Sequence, residues 1–336
     1  MLKAIRFKNF RVLRNTTLPL SRVTVIVGPN GSGKSTVLQA LGTLSSHPDE
    51  KRAGKGNYED LISVDRRQTG EAVEVKFIGE QSNEHNEFVL TWTKANRTRG
   101  SNRGNNEEWN EFTNRVRIFG LVPSDIAQAV QLVPNIQIGS TGKGLAGVLD
   151  NLQDVWHDRF QALNAELPKW LPEFDRVQFD VRGPGEKAFS LRRRKDGLPI
   201  RSIDLSEGSL FAVTLLTLAY LPNPPSLIGL EHPDAGIHPR LLRRVQDAIY
   251  RLAYPEQHGE SRAPTQVIAT THSPYFLDLF KEHPEEIVIA NKDDSGVQFQ
   301  RLADRPRMGE ILPEGPLGDL WYSGLLGGVP AEPVQP

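Results

Sequence analysis

Apolar residues occur both in short β-branched runs and at helical spacing, and the two patterns alternate along most of the chain. Residues 2–10 alternate apolar and basic side chains, which is typical of a half-buried strand. Residues 22–27 contain a β-branched run that stops at Gly28, which predicts a buried strand, and residues 35–44 then predict a helix. This alternation of strands and helices favours an α/β architecture.

The rest of the pattern adds further elements and a few polar connections. Strands are predicted at residues 71–78, 87–93, 177–181, 188–193, 226–230, 266–270 and 286–290, and helices within residues 123–171 and at 210–221 and 241–252. The strands at 71–78 and 87–93 are expected to pair antiparallel, and the helices of 123–171 to end at Pro168 and Pro172. The polar stretches 47–56 and 94–106 predict loops, the second one mobile. The glycine-rich run at 324–328 and the proline-rich end after it predict an exposed tail.

Composition excludes several classes of protein. The 336 residues carry 40 Lys and Arg against 41 Asp and Glu, so nucleic acid could be bound only by a local basic patch. The chain has no cysteine, which excludes disulfides and thiolate sites and suits a reducing cytoplasm. No run approaches the roughly 20 apolar residues of a membrane span. Residues 1–6 alternate apolar and charged side chains, unlike a signal peptide, and we expect a cytoplasmic protein with no membrane partner.

One segment matches a phosphate-binding motif. Residues 28–36, the phosphate loop, fit G-x-x-x-x-G-K-S/T between a predicted strand and a predicted helix, which is the context that the motif requires; a chance glycine-rich turn is the alternative. Backbone N–H groups of such a loop and the helix N-terminus bind phosphate, lysine neutralises it, and the hydroxyl after the lysine binds Mg²⁺. The prediction is an ATP and Mg²⁺ site, with Ser35 as a metal ligand. The predicted nucleotide-binding residues of this loop are Asn30, Gly31, Ser32, Gly33, Lys34, Ser35 and Thr36.

Three more segments follow in order. Residues 205–209, the signature segment, are L-S-E-G-S; residues 227–239 form an apolar strand ending in E-H-P-D; and residues 270–274 are T-T-H-S-P. Together with I-R-F-K-N-F at residues 5–10, they resemble the RecF/SMC-like, OLD-type branch of stand-alone bacterial AAA/ABC ATPases without a coiled coil. The likeness covers nearly the whole chain. It implies an ABC-ATPase head, with a P-loop core sheet, flanking antiparallel strands and a helical lobe that carries the signature.

The resemblance also implies how such a head works. Two copies pack head to tail, and each ATP lies between the phosphate loop of one copy and the signature segment of the other. Ser206 would offer its hydroxyl and Gly208 its backbone N–H to the γ-phosphate, at a helix N-terminus that favours anions. A simple helix cap by Ser206 is the alternative. His272 would contact the γ-phosphate, whereas His238 is interpreted as structural, with Pro239 beginning the next helix.

The chain departs from the family pattern at the end of the strand at 226–230. Where the family has Asp-Glu-Pro, this chain has Glu231, His232 and Pro233. Glu231 can still support Mg²⁺, but His232 could act as a base only as neutral imidazole, without a negative charge. We therefore expect an ATPase that hydrolyses slowly and in which ATP mainly holds a dimer. The alternative is that Glu231 or Asp234 serves as the catalytic carboxylate.

The motifs divide the chain into expected regions. The ATP-binding lobe would comprise residues 1–104 and 222–312, the helical lobe with a strand pair and the signature residues 105–221, and a C-terminal tail residues 313–336. The glutamine of the family's Q-loop has no clear counterpart, since nothing local supports Gln81.

Partners follow only indirectly from the sequence. Basic residues cluster at Lys94, Arg97, Arg99 and Arg103, and again at 192–195; these are candidates for DNA contacts or, alternatively, solvated faces. The chain has no evident nuclease site, and the resemblance implies a nuclease or toxin-like effector as a partner protein. The first hypothesis is an ATPase of a DNA-maintenance or anti-phage system. The alternatives are a non-hydrolysing, ATP-gated scaffold and the nucleotide-binding subunit of a transporter, against which the RecF-like first strand counts.

Overall fold

The computed structural model describes residues 1–45, 58–66, 70–79, 87–94, 98–103, 106–293 and 296–329. The strands are β1 Leu2–Phe10, β2 Leu13–Pro19, β3 Val23–Val27, β4 Val73–Gly79, β5 Glu87–Trp92, β6 Thr98–Arg103, β7 Val116–Phe119, β8 Val130–Gln131, β9 Phe174–Gly183, β10 Glu186–Arg193, β11 Pro199–Arg201, β12 Leu227–Glu231, β13 Gln266–Thr271, β14 Ile287–Asp293 and β15 Gly296–Arg301. The helices are α1 Lys34–Gly42, α2 Tyr58–Leu61, α3 Asn106–Asn114, α4 Pro123–Ile126, α5 Leu145–Val155, α6 His157–Trp170, α7 Glu207–Tyr220, α8 Leu242–Ala253, α9 Pro274–Asp278, α10 Met308–Ile311 and α11 Leu317–Tyr322.

The chain forms two compact units that interleave in sequence. Unit 1 comprises Met1–Ile118, Ser226–Glu231 and Gln266–Pro336. Unit 2 comprises Phe119–Pro225 and His232–Thr265. In the part of the chain that the structure describes, no helix is long and apolar enough to cross a membrane.

A six-stranded sheet in the order β15-β14-β3-β13-β12-β7 is the frame of unit 1. Strands β14, β3, β13 and β12 run parallel, with Val27 opposite Thr271 and Glu231 opposite Thr270. Every residue of β3 and β13 is buried, as expected for parallel strands covered on both faces. The shared direction places the carboxyl ends of these four strands at one edge of the sheet.

Unit 1 also contains an antiparallel sheet in the order β2-β1-β4-β5-β6. Along β1 buried apolar residues alternate with exposed basic ones, so one face enters the core and the other meets water. The antiparallel pairing of β4 with β5, predicted from the sequence, is confirmed. The mixed sheet and the flanking antiparallel strands agree with the predicted α/β ATPase head.

Strand β6 corrects one expectation. Residues 94–106 are predicted to be a mobile loop, whereas Thr98–Arg103 pairs antiparallel with β5 over its full length, and α3 begins at Asn106. The segment T-R-G-S-N-R has no apolar residue, so its sequence carries no period-two signal. Its backbone hydrogen bonds to β5 form the strand instead.

Unit 2 combines helices with a small antiparallel sheet. Strand β10 pairs with β9 on one side and with β8 and β11 on the other, while α6 packs on β9. Helix α7 packs against α6 and α8 and is buried from Ser209 to Tyr220, which fits a helix that is apolar all round. Helix α6 continues through Pro168 and ends at Trp170, so of the two expected ends Pro168 is wrong, whereas Pro172 follows the helix as expected.

The segment 324–328 corrects the expectation of an exposed tail. Leu326 is fully buried, and the backbone N–H of Gly328 donates to Asn291 Oδ1 over 2.7 Å. The indole N–H of Trp321 donates to the Gly328 carbonyl over 3.1 Å. Glycines in this run therefore serve a close approach of backbone to β14, and the expectation of a frayed end concerns residues 330–336, outside the described residues.

Candidate nucleotide-binding site

Three of the predicted segments meet at the carboxyl edge of the parallel sheet. The phosphate loop follows β3, Glu231 ends β12, and His272 follows β13. The register aligns the last residue of β3 with the last residue of β13, and Glu231 lies one strand further along. Ligands of open α/β sheets bind at this edge, beyond the carboxyl ends of the strands.

The phosphate loop needs glycine at several positions for different reasons. Gly31 and Gly33 have φ of +74° and +84°, the left-handed region that favours glycine. A Cβ on Gly33 would lie 2.6 Å from Leu13 Cδ2, and a Cβ on Gly28 would lie 2.5 Å from the carbonyl oxygen of Ala290. The loop is therefore held against β2 and β14, and Gly33 directly precedes α1.

Lys34 is almost fully buried beneath this loop. Its Nζ donates to the carbonyl oxygens of Gly28 and Pro29, each over 2.8 Å, and lies 3.3 Å from Ser32 Oγ. Burial lowers the pKa of Lys34 from its ordinary value near 10.5 to about 8. A buried ammonium with only neutral partners is suited to an anion, because an anion at the loop would stabilise its charged form.

Ser35 and Glu231 form the direct link between helix α1 and strand β12. The Ser35 hydroxyl donates to Glu231 Oε1 over 2.6 Å. A hydroxyl and a carboxylate are hard oxygen donors of the kind that Mg²⁺ binds, together with substrate phosphates. The donor set therefore fits the predicted Mg²⁺ site.

The segment after β13 is ordered by two local hydrogen bonds. The Thr271 hydroxyl accepts from the backbone N–H of Ser273 over 2.9 Å, and Ser273 caps α9 by accepting from the Phe276 N–H over 3.2 Å. His272 lies between these two anchors and is partly exposed at the sheet edge. Hydrogen bonds of Thr271 and Ser273 thus hold the backbone on both sides of His272.

His232, the residue after β12, has an uncommon backbone conformation. Its φ of +48° lies in the left-handed region, which costs a non-glycine residue about 1–2 kcal/mol. Its carbonyl accepts from the Ala235 N–H over 2.9 Å, which closes a turn directly after the strand. Strained backbone conformations of this kind cluster at active sites, which agrees with a functional role for His232.

His238 has the structural role expected of it. Its Nδ1 accepts from the Arg240 N–H over 3.2 Å, so it caps the 3₁₀ helix Pro239–Leu241. Pro239 occupies the first position of that helix, where the missing N–H has no cost.

The signature segment lies in unit 2 at the start of α7. Ser206 is exposed and caps the helix, because its Oγ accepts from the Ser209 N–H over 3.1 Å. A Cβ on Gly208 would lie 2.4 Å from the carbonyl oxygen of Gly236. Close packing against Gly236 therefore requires glycine at position 208, and the sequence did not indicate this contact.

The second basic cluster, residues 192–195, is less available for DNA contacts than its sequence suggests. Arg192 makes a bidentate ion pair with Asp175, which lowers the pKa of the Asp175 carboxyl, and Arg193 makes one with Asp196. These pairs neutralise half of the run at 192–195. In the first cluster, Arg97 lies outside the described residues. Gln81, the weak Q-loop candidate, also lies outside them.

Comparison with known proteins shows the family of the chain. A family model described as "AAA domain, putative AbiEii toxin, Type IV TA system" matches residues 65–278, more than half of the chain. The chain belongs to this family of AAA domains. A second model, "AAA ATPase domain", matches residues 1–115.

Individual relatives extend the match to nearly the whole AAA protein. It is 23% identical to an OLD nuclease of Thermus scotoductus, over 95% of this chain and 68% of that protein. Its fold is similar to an SMC head bound to the C-winged helix domain of ScpA. The TM-score is 0.60 and the identity 17%, and the match covers 89% of this chain and 96% of that chain. It is also similar to a Pyrococcus furiosus SMC head with an extended coiled coil. The TM-score is 0.61 and the identity 14%, and the match covers 89% of this chain and 95% of that chain. The prediction of a RecF/SMC-like, OLD-type ATPase is confirmed, and the AAA protein is an ATP-binding ATPase.

Proposed function

We propose that this AAA protein binds ATP with Mg²⁺ at the phosphate loop and hydrolyses it slowly, and that two copies close head to tail around the nucleotide. The observation that carries the proposal is the hydrogen bond between Ser35 and Glu231 at the edge where the phosphate loop and His272 also lie. Bound ATP would supply the transferable phosphoryl group, with Mg²⁺ neutralising its charge.

Each residue at this edge has a role that follows from its chemistry. Lys34 holds the β- and γ-phosphates by its ammonium, and the loop N–H groups bind the phosphate oxygens. Ser35 and Glu231 would hold Mg²⁺, Ser35 by its hydroxyl and Glu231 by the negative charge of its carboxylate. His272 contacts the γ-phosphate from the neighbouring strand. Asn30, Ser32 and Thr36 complete the site from the loop and the start of α1.

The hydrolytic step depends on the residue after Glu231. His232 occupies the place where the family has a carboxylate, so the attacking water would lose its proton to a neutral imidazole. A neutral imidazole lacks the negative charge of that carboxylate, so it would stabilise the developing positive charge less well and the reaction would be slower. A long-lived ATP state then favours the closed dimer.

The dimer itself requires the signature segment of the second copy. Ser206 is exposed at the N-terminus of α7, whose dipole and first N–H groups favour an anion. ADP lacks the γ-phosphate that Ser206 and Gly208 would contact, so hydrolysis would weaken the dimer.

A nuclease or toxin-like effector is the partner that we propose for this dimer. Support comes from the OLD nuclease, of which the chain covers 68%, and from the toxin named in the family description. The biological setting would be DNA maintenance or anti-phage defence in the cytoplasm. DNA contact would fall to the two basic clusters, of which Arg192 and Arg193 are already paired with carboxylates.

The deciding experiment combines light scattering with single-turnover hydrolysis. We expect a monomer with ADP, a dimer with ATP and Mg²⁺, and an increase in the hydrolysis rate of at least about tenfold in His232→Glu. The substitution keeps a non-glycine at φ +48°, so it changes the base without relieving the backbone. A wild type that never releases phosphate, yet still dimerises, would instead indicate the ATP-gated scaffold. An unchanged monomer under saturating ATP would contradict the dimer.

A further inference from the structure

A second lysine lies beside the phosphate loop, on β14. Strand β14 runs parallel to β3, with Ile289 opposite Val27, so its last residues extend along the same edge as the phosphate loop. The carbonyl of Ala290 lies 2.5 Å from the place of a Cβ on Gly28, which fixes the end of β14 against the first residue of the loop.

Lys292 follows Ala290 by two residues and therefore projects from the same face of the strand. Its Nζ lies 3.4 Å from the place of a Cβ on Gly31, at the tip of the loop. Lys292 is exposed, and within the described part of the chain its ammonium has no hydrogen-bond or ion-pair partner. The loop thus has one cation beneath it, Lys34, and another at its outer side.

The sheet order decides which end of a nucleotide Lys292 would meet. Glu231 ends β12, and β13 and β3 separate β12 from β14. At about 4.8 Å per strand, the two strand ends are about 15 Å apart. If the pair of Ser35 and Glu231 holds the metal ion and the γ-phosphate, β14 and Lys292 lie on the other side of β3, where the phosphates nearer the nucleoside would lie.

We infer that Lys292 is an additional phosphate-binding residue, which contacts the phosphates on the nucleoside side of the site. This inference rests on the proposed ATP site at the phosphate loop. A contact of this kind exists equally with ATP and ADP. It therefore strengthens binding of both nucleotides and adds nothing specific to the transition state.

The test is calorimetric titration of ATP and ADP, each with Mg²⁺, into the wild type, Lys292→Met, Lys292→Arg and Lys292→Glu. We expect Lys292→Met to weaken ATP and ADP alike, by about three- to tenfold, as for a charged hydrogen bond exposed to water. Arginine should restore most of the affinity, and glutamate should weaken it further. The loss should shrink between low and high salt, because screening weakens exposed charges. In turnover, the change should fall on KM and not on kcat.

The matched control is Lys3→Met, an exposed lysine of β1. Its neighbour Leu2 hydrogen bonds to Gln266 at the amino end of β13, the edge opposite the phosphate loop. Unchanged ATP and ADP affinities in Lys292→Met and Lys292→Glu would overturn the inference, and so would a loss confined to ATP. A wild type that binds neither nucleotide would overturn the ATP site itself, which separates the two failures.

Discussion

The hydroxyl of Ser35 donates to Oε1 of Glu231 over 2.6 Å, across 196 positions of sequence. Ser35 is placed by the first turn of α1, and Glu231 by the last residue of a buried parallel strand. Both supports are regular elements of unit 1, and they bring the hydroxyl and the carboxylate within hydrogen-bond distance. A site assembled in this way loses little entropy when it binds a metal ion with a phosphate.

Glu231→Gln tests the chemical part of this pair. The amide keeps the shape of the side chain and can still accept from Ser35, but it loses the negative charge that supports Mg²⁺. We expect single-turnover hydrolysis to fall by about a hundredfold or more, whereas the Kd for ATP changes by less than about tenfold. An unchanged rate would mean that Glu231 has no part in the reaction. Asp234→Asn is the parallel variant, because Asp234 is the other carboxylate that the sequence offers for the role.

The pKa of Lys34 near 8 predicts how nucleotide binding depends on pH. Without nucleotide, Lys34 loses its proton as the pH rises through about 8, so ATP affinity should fall above that pH. Bound phosphate favours the ammonium, so binding near pH 8.5 should take up a fraction of a proton. Titrations in buffers of different ionisation enthalpy measure this uptake. Lys34→Met should remove both the uptake and most of the affinity.

The same shift has a consequence for stability in the nucleotide-free state. Between pH 8 and 10.5 the unfolded chain keeps a proton on Lys34 that the folded chain has lost. The unfolded state then binds more protons, so the free energy of unfolding rises with pH across this window. Lys34→Met, compared with wild type in urea at several pH values, should lack this particular rise. A rise of equal size in both would contradict the burial of the charge.

Local patterns predicted most elements, but not how they come together. The β-branched run of β3 ending at Gly28 and the motif after it were sufficient for the phosphate loop. Strand β6 has no apolar residue, so only its pairing with β5 reveals it. The ion pair of Arg192 with Asp175 joins neighbouring strands whose register no single-sequence pattern defines.

The end of the chain shows the same limit. Glycines at 324–328 predict an exposed tail from local sequence alone. Their lack of side chains instead permits close approach to Asn291 and Ile289 on β14, a tertiary contact. The position of Lys292 beside Gly31 was likewise invisible in the sequence, because it depends on β14 pairing with β3.

Ser206 has two roles to separate, the helix cap that the structure describes and the proposed phosphate contact. Ser206→Asp keeps a good cap for α7 but places a negative charge where the γ-phosphate of the second copy would lie. We expect an unchanged thermal midpoint and no ATP-dependent dimer in light scattering. Ser206→Asn, a neutral cap, is the control and should dimerise more than the aspartate. Equal dimerisation of both variants and the wild type would leave Ser206 with the cap alone.

Gly208→Ala tests the packing of the signature segment on the loop after β12. The new methyl group would lie 2.4 Å from the Gly236 carbonyl oxygen, a backbone atom that cannot move aside alone. Overpacking of this kind costs about 1–3 kcal/mol, so the free energy of unfolding in urea should fall by that amount.

Gly309→Ala in α10 is the matched control, because nothing lies within 4 Å of its Cβ. Gly309 is the second residue of this short helix and has no positive φ, so alanine there should instead stabilise by about 0.4–1 kcal/mol, because it restricts the unfolded chain. Equal effects of the two substitutions would contradict the close contact, and a stable Gly208→Ala that fails to dimerise would place the role of Gly208 between copies.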